Sequence, residues 1–152
     1  MEVNKKQIIY MLTVIIWMLV VFIFSNQPAE KSSKVSGGIT EKVVHIITND
    51  NDKITQTQRD QIETIIRKCA HFVLYTIGGF LAVNYISTTK VQGKNIYIYA
   101  IIFTFVYAIT DELHQLFVLG RSGEIRDVII DTAGGSLGTM LFWMLRKIVR
   151  RK

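Results

Sequence analysis

Residues 8–24, "IIYMLTVIIWMLVVFIF", carry no charged group at all. A helix of that length covers about 26 Å at ~1.5 Å per residue. That approaches the ~30 Å hydrocarbon core of a bilayer. Three further apolar blocks follow, so spans are expected at about 8–26, 69–87, 95–115 and 127–146. A soluble domain would space its apolar residues at helix or strand period, whereas here they come in blocks. Open sheet edges cannot be paired in lipid, so the spans are expected to be helical. The expectation is an all-α polytopic membrane protein, a four-transmembrane-helix bundle forming one domain over residues 1–152. The 49% hydrophobic content fits that class.

The first block is not read as a cleaved signal. It is longer than a typical apolar signal region, and the following "SNQPAEKSS" holds no A-x-A-like site. Pro28, the lone proline, falls where the first helix should stop. The single cysteine, Cys69, allows no internal disulfide and is read as a small buried apolar residue. Between spans one and two lies the polar segment 27–68. In it, Ile39, Val43, Ile46 and Ile47 recur at helical spacing and predict a short amphipathic surface helix. His45 on that helix is read as solvent-facing, and Asn49-Asp50-Asn51-Asp52 as a turn. Thr55 and Gln58 have capping-box spacing, so a helix is expected to start there and run into span two.

The net charge of +6 does not require nucleic acid. Lys5, Lys6, Lys90, Lys94, Arg146, Lys147, Arg150, Arg151 and Lys152 supply half of the 18 basic side chains, from three short stretches. With both termini and the 87–94 loop in the cytoplasm, this density obeys the positive-inside rule. The basic tail then reads as a stop and an anchor to anionic lipid.

That topology gathers the unusual polar clusters at the outer ends of the spans: "FSNQ" (24–27), "RKCAH" (67–71), "DELHQ" (111–115) and "GRSGEIRDVIID" (120–131). At 100° per residue, Thr104, Tyr107, Asp111, His114 and Gln115 share one arc of span three. Asp127, Asp131, Gly134 and Gly138 share a stripe of span four; Arg67, His71, Tyr75, Gly78 and Ala82 share one of span two. Polar faces are costly in lipid, so the three should turn toward one another. Gly134-x-x-x-Gly138 would allow close helix packing beneath the carboxylates.

The inferred cleft holds acids (Asp111, Glu112, Asp127, Asp131), cations (Arg67, Arg121, Arg126 and Lys68) and two histidines (His71, His114). Arginines can grip a phosphate or carboxylate through paired donors. A histidine beside a carboxylate can serve as general base or acid near neutral pH. Histidines with carboxylates can also hold a divalent metal, though no H-E-x-x-H or C-x-x-C spacing favours one. Against these stands a plain reading, in which Arg67, Arg126 and Asp127 are ion pairs that only hold the bundle together.

The segments "FSNQ", "RKCAHFVLY" and "DELHQLFVLGRSGEIRDVIIDTAGGSLG" resemble the VanZ-like membrane proteins in order and spacing, over nearly the whole chain. The family pattern often places proline before the Gly-Arg pair. Here Leu119 stands there, so a looser turn is expected. The polar positions that match are Arg67, His71, Asp111, Glu112, His114, Gln115, Arg121, Asp127 and Asp131. The resemblance implies a bacterial cell-envelope setting and a link to teicoplanin resistance, without a defined reaction.

Three functions are therefore carried forward. The first is binding of an anionic lipid or lipid-linked cell-wall headgroup, with Arg67, Arg121 and Arg126 as clamps and Glu112, Gln115 and Asp131 beside them. The second is a hydrolase or transferase acting on such a headgroup, using His71, Asp111, His114 and Asp127. The third is a structural or partner-binding membrane protein.

Overall fold

A computed structural model describes residues 4–28, 37–38, 41–42 and 55–149. The residues that carry the expected surface helix (Ile39, Val43, Ile46, Ile47), together with His45 and the Asn49–Asp52 turn, lie outside these. Four long helices dominate: α1 (Lys5–Ser25), α2 (Gln56–Ile86), α3 (Asn95–Gln115) and α4 (Ile125–Val149). All four are long and apolar enough to cross a membrane, and no strand occurs among the described residues.

The helix ends follow local chemistry. The Asn4 side chain accepts from Lys6 N and starts α1; Asn26 closes it two residues before Pro28. At Thr55 the capping box forms as the spacing predicts. Gln58 N donates to Thr55 Oγ1, and Thr55 N donates to Gln58 Oε1 at 2.9 Å. Helix α2 then runs 31 residues, about 46 Å at ~1.5 Å each, so its first turns exceed the span that a bilayer needs.

Helices α2 and α4 form the most extensive pair, with α3 packed on both and α1 laid mainly against α2. Small residues set the α2–α4 distance. A Cβ at Gly138 would run into the Thr76 carbonyl, and one at Gly79 would run into Gly135. Without a hydrophobic drive between helices in lipid, such backbone approach is what dispersion and packing need. Across the middle, Trp17 lies against Tyr75 and Tyr107, at 5.5 and 5.1 Å between ring centroids. The Trp17 indole N–H donates to the Leu74 carbonyl at 2.8 Å, and the Tyr107 hydroxyl donates to the Met18 carbonyl at 2.6 Å. Both polar tips are thereby satisfied inside the bundle. The outer surface is a belt of exposed Ile, Leu, Phe and Val, the face a bilayer would cover.

Two expectations are corrected. Cys69 is exposed rather than buried, because it falls on α2 off the stripe that faces the other helices. The turn at Leu119 is not loose: Arg121 N donates to the Val118 carbonyl at 3.1 Å. Gly120 enables it with a left-handed φ of 76°, which costs glycine no steric strain.

Candidate functional site

The C-terminal ends of α1 and α3, the residues around His71 of α2 and the N-terminus of α4 meet at one end of the bundle. There a small cleft is lined by Arg67, Lys68, His71, Gln115, Arg121, Asp127, Ile130 and Asp131. Its interior offers about 10 Å³ of positions to the centre of a water-sized guest, which is room for about one water.

The floor is acidic and dry. Asp131 is fully buried (0% exposed), Asp111 is buried, and His71 Nδ1 stands 3.6 Å from Asp131 Oδ2. One donor atom from each of His71, Asp111 and Asp131 lies within 4.8 Å of the others, a spacing at which the three could share a metal ion. Gln115 ties α3 to α1 and to its own acids. Its Nε2 donates to Ser25 Oγ at 2.9 Å, with Glu112 Oε1 at 3.3 Å and Asp111 Oδ2 at 3.4 Å. Deletion of such a donor beside buried carboxylates would leave acceptors short of partners, which is costly in a low dielectric.

The cations sit at the rim. Lys68 pairs with Asp127 and, at 3.1 Å, with Glu124. The ion-pair partner of Asp127 is thus Lys68, not an arginine. Arg121 reaches from the α3–α4 loop to the end of α1, donating from Nε to the Gln27 carbonyl at 3.0 Å and from Nη2 to the Phe24 carbonyl at 3.3 Å. Burial, and then the nearby Arg67, lower its pKa below the usual arginine value. Arg67 is half-buried in the cleft wall and makes no ion pair among the described residues.

Three sequence candidates are placed away from the cleft. His114 turns to α1, where its ring lies 4.7 Å from that of Phe22 and its Nε2 is 3.3 Å from Asn26 Oδ1. Arg126 is exposed and does not line the cleft. Glu112 is buried, but its Oε2 accepts from Glu124 N at 2.7 Å and so fastens α3 to the start of α4. Conversely, two contributors had been given no role from the sequence. Ser25, fully buried, is the α1 partner of Gln115, and "FSNQ" was its only signal. In the sequence Tyr75 is marked only by its place on the stripe of span two. It is fully buried, and its hydroxyl has no hydrogen-bond partner among the described residues.

Beside the cleft, between α3 and α4, runs an apolar groove of about 450 Å³. Phe105, Ile109, Leu113, Ile125 and Ile129 line it, and Glu112 and Glu124 stand at its polar end.

A family model described as VanZ/LLP1 matches residues 10–146 of this chain. No curated protein and no solved structure matches it.

Proposed function

The chain belongs to the VanZ/LLP1 family, and from that footing we propose that it binds the charged headgroup of an anionic lipid or lipid-linked cell-wall precursor in a bacterial plasma membrane. Residues 1–152 act as one membrane domain, with both termini in the cytoplasm and the cleft at the outer face. The observation that carries this reading is the rim of Arg67, Lys68 and Arg121 around a cleft that opens at one end of a membrane bundle. Guanidinium groups grip phosphate and carboxylate oxygens through paired N–H donors. The apolar groove beside Glu112 and Glu124 offers the attached chain a place along α3 and α4. The interior admits about one water, so a bound headgroup would present only its charged end to Arg67 and Arg121.

The test is lipid titration of purified protein in nanodiscs. Phosphatidylglycerol should bind more tightly than phosphatidylcholine. Because hydrogen bonds to charged groups are worth ~1.5–3 kcal/mol each, the Arg67→Gln/Arg121→Gln double variant should lose at least about tenfold in affinity for the anionic lipid. Equal binding by wild type and variant would end this proposal.

A second reading has its own observation, the 3.6 Å approach of His71 to Asp131. A carboxylate beside an imidazole can orient it for proton transfer. Of His71 and His114, only His71 lines the cleft, so an enzyme acting on the headgroup would use it as the base. Release of headgroup phosphate by wild-type protein, lost in His71→Ala, would select this reading.

A further inference from the structure

At and below the floor of the cleft, two buried polar side chains have no hydrogen-bond partner among the described residues. Neither oxygen of Asp131 accepts a hydrogen bond among the described residues, and the carboxylate is 0% exposed. The Tyr75 hydroxyl, one turn along α2 from His71, is equally buried and unpartnered, and it lies within electrostatic range of Asp111 and Asp131. A carboxylate held in a dry interior without donors costs several kcal/mol or more. Three of the neighbouring donor side chains point their hydrogen bonds elsewhere. Gln115 serves Ser25, Glu112 and Asp111. Lys68 serves Asp127 and Glu124. Arg121 serves two backbone carbonyls of the α1 end. His71 approaches Asp131, but at 3.6 Å, outside hydrogen-bond distance.

We propose that His71, Asp111 and Asp131 form a binding site for one divalent transition-series cation. A single ion would neutralise both carboxylates and take the imidazole nitrogen that faces them. A tetrahedral ion with ~2.1 Å bonds holds its ligand atoms about 3.4 Å apart. The His71–Asp131 separation of 3.6 Å already matches that spacing, and Asp111 lies within 4.8 Å of both. One imidazole with two carboxylates suits Zn²⁺, Mn²⁺ or Fe²⁺ rather than Mg²⁺ or Ca²⁺, which take oxygen ligands. Three protein ligands leave a further coordination position for a small guest. The cleft, which His71 and Asp131 both line, has room for about one water. Helices α2, α3 and α4 contribute one ligand each, so no local spacing in the sequence could have marked the site.

The inference goes beyond headgroup binding, and metal alone tests it. Protein purified in detergent, stripped with chelator and titrated with Co²⁺ should take up about one ion per chain. The visible absorption of the ion should change, and Zn²⁺ should displace it. Asp131→Asn should weaken Co²⁺ binding at least tenfold and abolish the rise in melting temperature that Zn²⁺ gives the wild type. In the absence of metal, the same variant should keep the helical content of the wild type, which separates lost metal binding from lost folding. A wild type that neither binds Co²⁺ nor is stabilised by Zn²⁺ overturns the proposal. So does an Asp131→Asn chain that binds Co²⁺ as tightly as the wild type. His71→Ala repeats the test from α2 if the Asp131 variant fails to fold. A chain that binds metal but no anionic lipid would fail only the headgroup reading, and the reverse result would fail only this one.

Discussion

Gly138→Ala should destabilise this protein far more than the size of a methyl group suggests. The added Cβ would meet the Thr76 carbonyl oxygen, with the Phe80 nitrogen at 2.8 Å. Both are backbone atoms of α2, so no side chain can swing aside. Overpacking a close-packed interior costs ~1–3 kcal/mol, and a backbone obstacle puts this site near the upper end. Alanine recovers about 1 kcal/mol of helix propensity over glycine. The net cost is then about 2 kcal/mol, or roughly 30-fold in the folding equilibrium, at ~1.4 kcal/mol per factor of ten. The assay is reversible unfolding in mixed micelles by SDS titration, followed by Trp17 and Trp143 fluorescence. Ala133→Leu is the control, since Ala133 is exposed on the same helix. It should stay within about 0.5 kcal/mol of wild type. If Gly138→Ala cost no more than Ala133→Leu, α2 and α4 would not be in backbone contact, and the placement of Asp131 opposite His71 would fall with it.

Gln115→Leu should cost about 2–3 kcal/mol in the same assay, since it leaves Ser25, Asp111 and Glu112 short of a buried donor. An unchanged midpoint would mean that these acids are satisfied another way. Trp17→Phe should cost about 1–2 kcal/mol, from the lost bond to the Leu74 carbonyl and the smaller ring. A double-mutant cycle on Lys68→Met and Asp127→Asn should give a coupling of about 1 kcal/mol, because the pair is only partly buried and stays in contact with solvent. A coupling of several kcal/mol would instead favour the purely structural role for the rim. The lowered Arg121 pKa sets a sign for pH. Holding its charge costs folding stability at neutral pH, and that cost is relieved only as pH rises toward the ordinary arginine value of 12.5. Anionic-lipid affinity should therefore fall with rising rather than with falling pH so far as Arg121 governs it, and a loss of affinity on acidification would assign the effect to another group.

Where a residue's role depended on one helix, it could be read from the sequence. Thr55 with Gln58 predicts the start of α2, and the phase of span three predicts that Thr104, Asp111 and Gln115 turn inward; all three are buried. Gly138 was likewise legible as a packing residue, because its spacing from Gly134 marks one stripe. The errors lie where roles depend on contacts between elements. Glu112 is off the inward stripe by phase, yet it is buried because the 116–124 loop folds back and sets Glu124 N over its carboxylate. His114 is on the stripe but near its edge, and that edge faces α1 rather than α2. Arg126 follows a loop whose path no periodicity describes, and it ends exposed.

The rim arginines differ in a way that bears on any ligand. Arg67 is without an ion pair among the described residues and can meet an anion as it stands. Arg121 already commits its Nε and Nη2 edge to the Gln27 and Phe24 carbonyls at the end of α1. An anion that takes the Nε and Nη2 edge of Arg121 must draw it from those carbonyls, and so loosen the loop from α1. Such a ligand pays a conformational cost that Arg67 alone does not impose. Binding through both arginines would therefore couple the cleft to the position of the α1 end. Gln27→Ala would not sever that coupling, since the acceptor at position 27 is a backbone carbonyl. Arg121→Lys would, because a single ammonium cannot reproduce the two-pronged guanidinium contact. Arg121→Lys should thus release the α1 end and weaken anion binding together, whereas Arg67→Lys should weaken binding alone. Hydrogen exchange at residues 24–28, followed beside the lipid titration, separates the two. Equal protection of that segment in both variants would mean that Arg121 does not hold it.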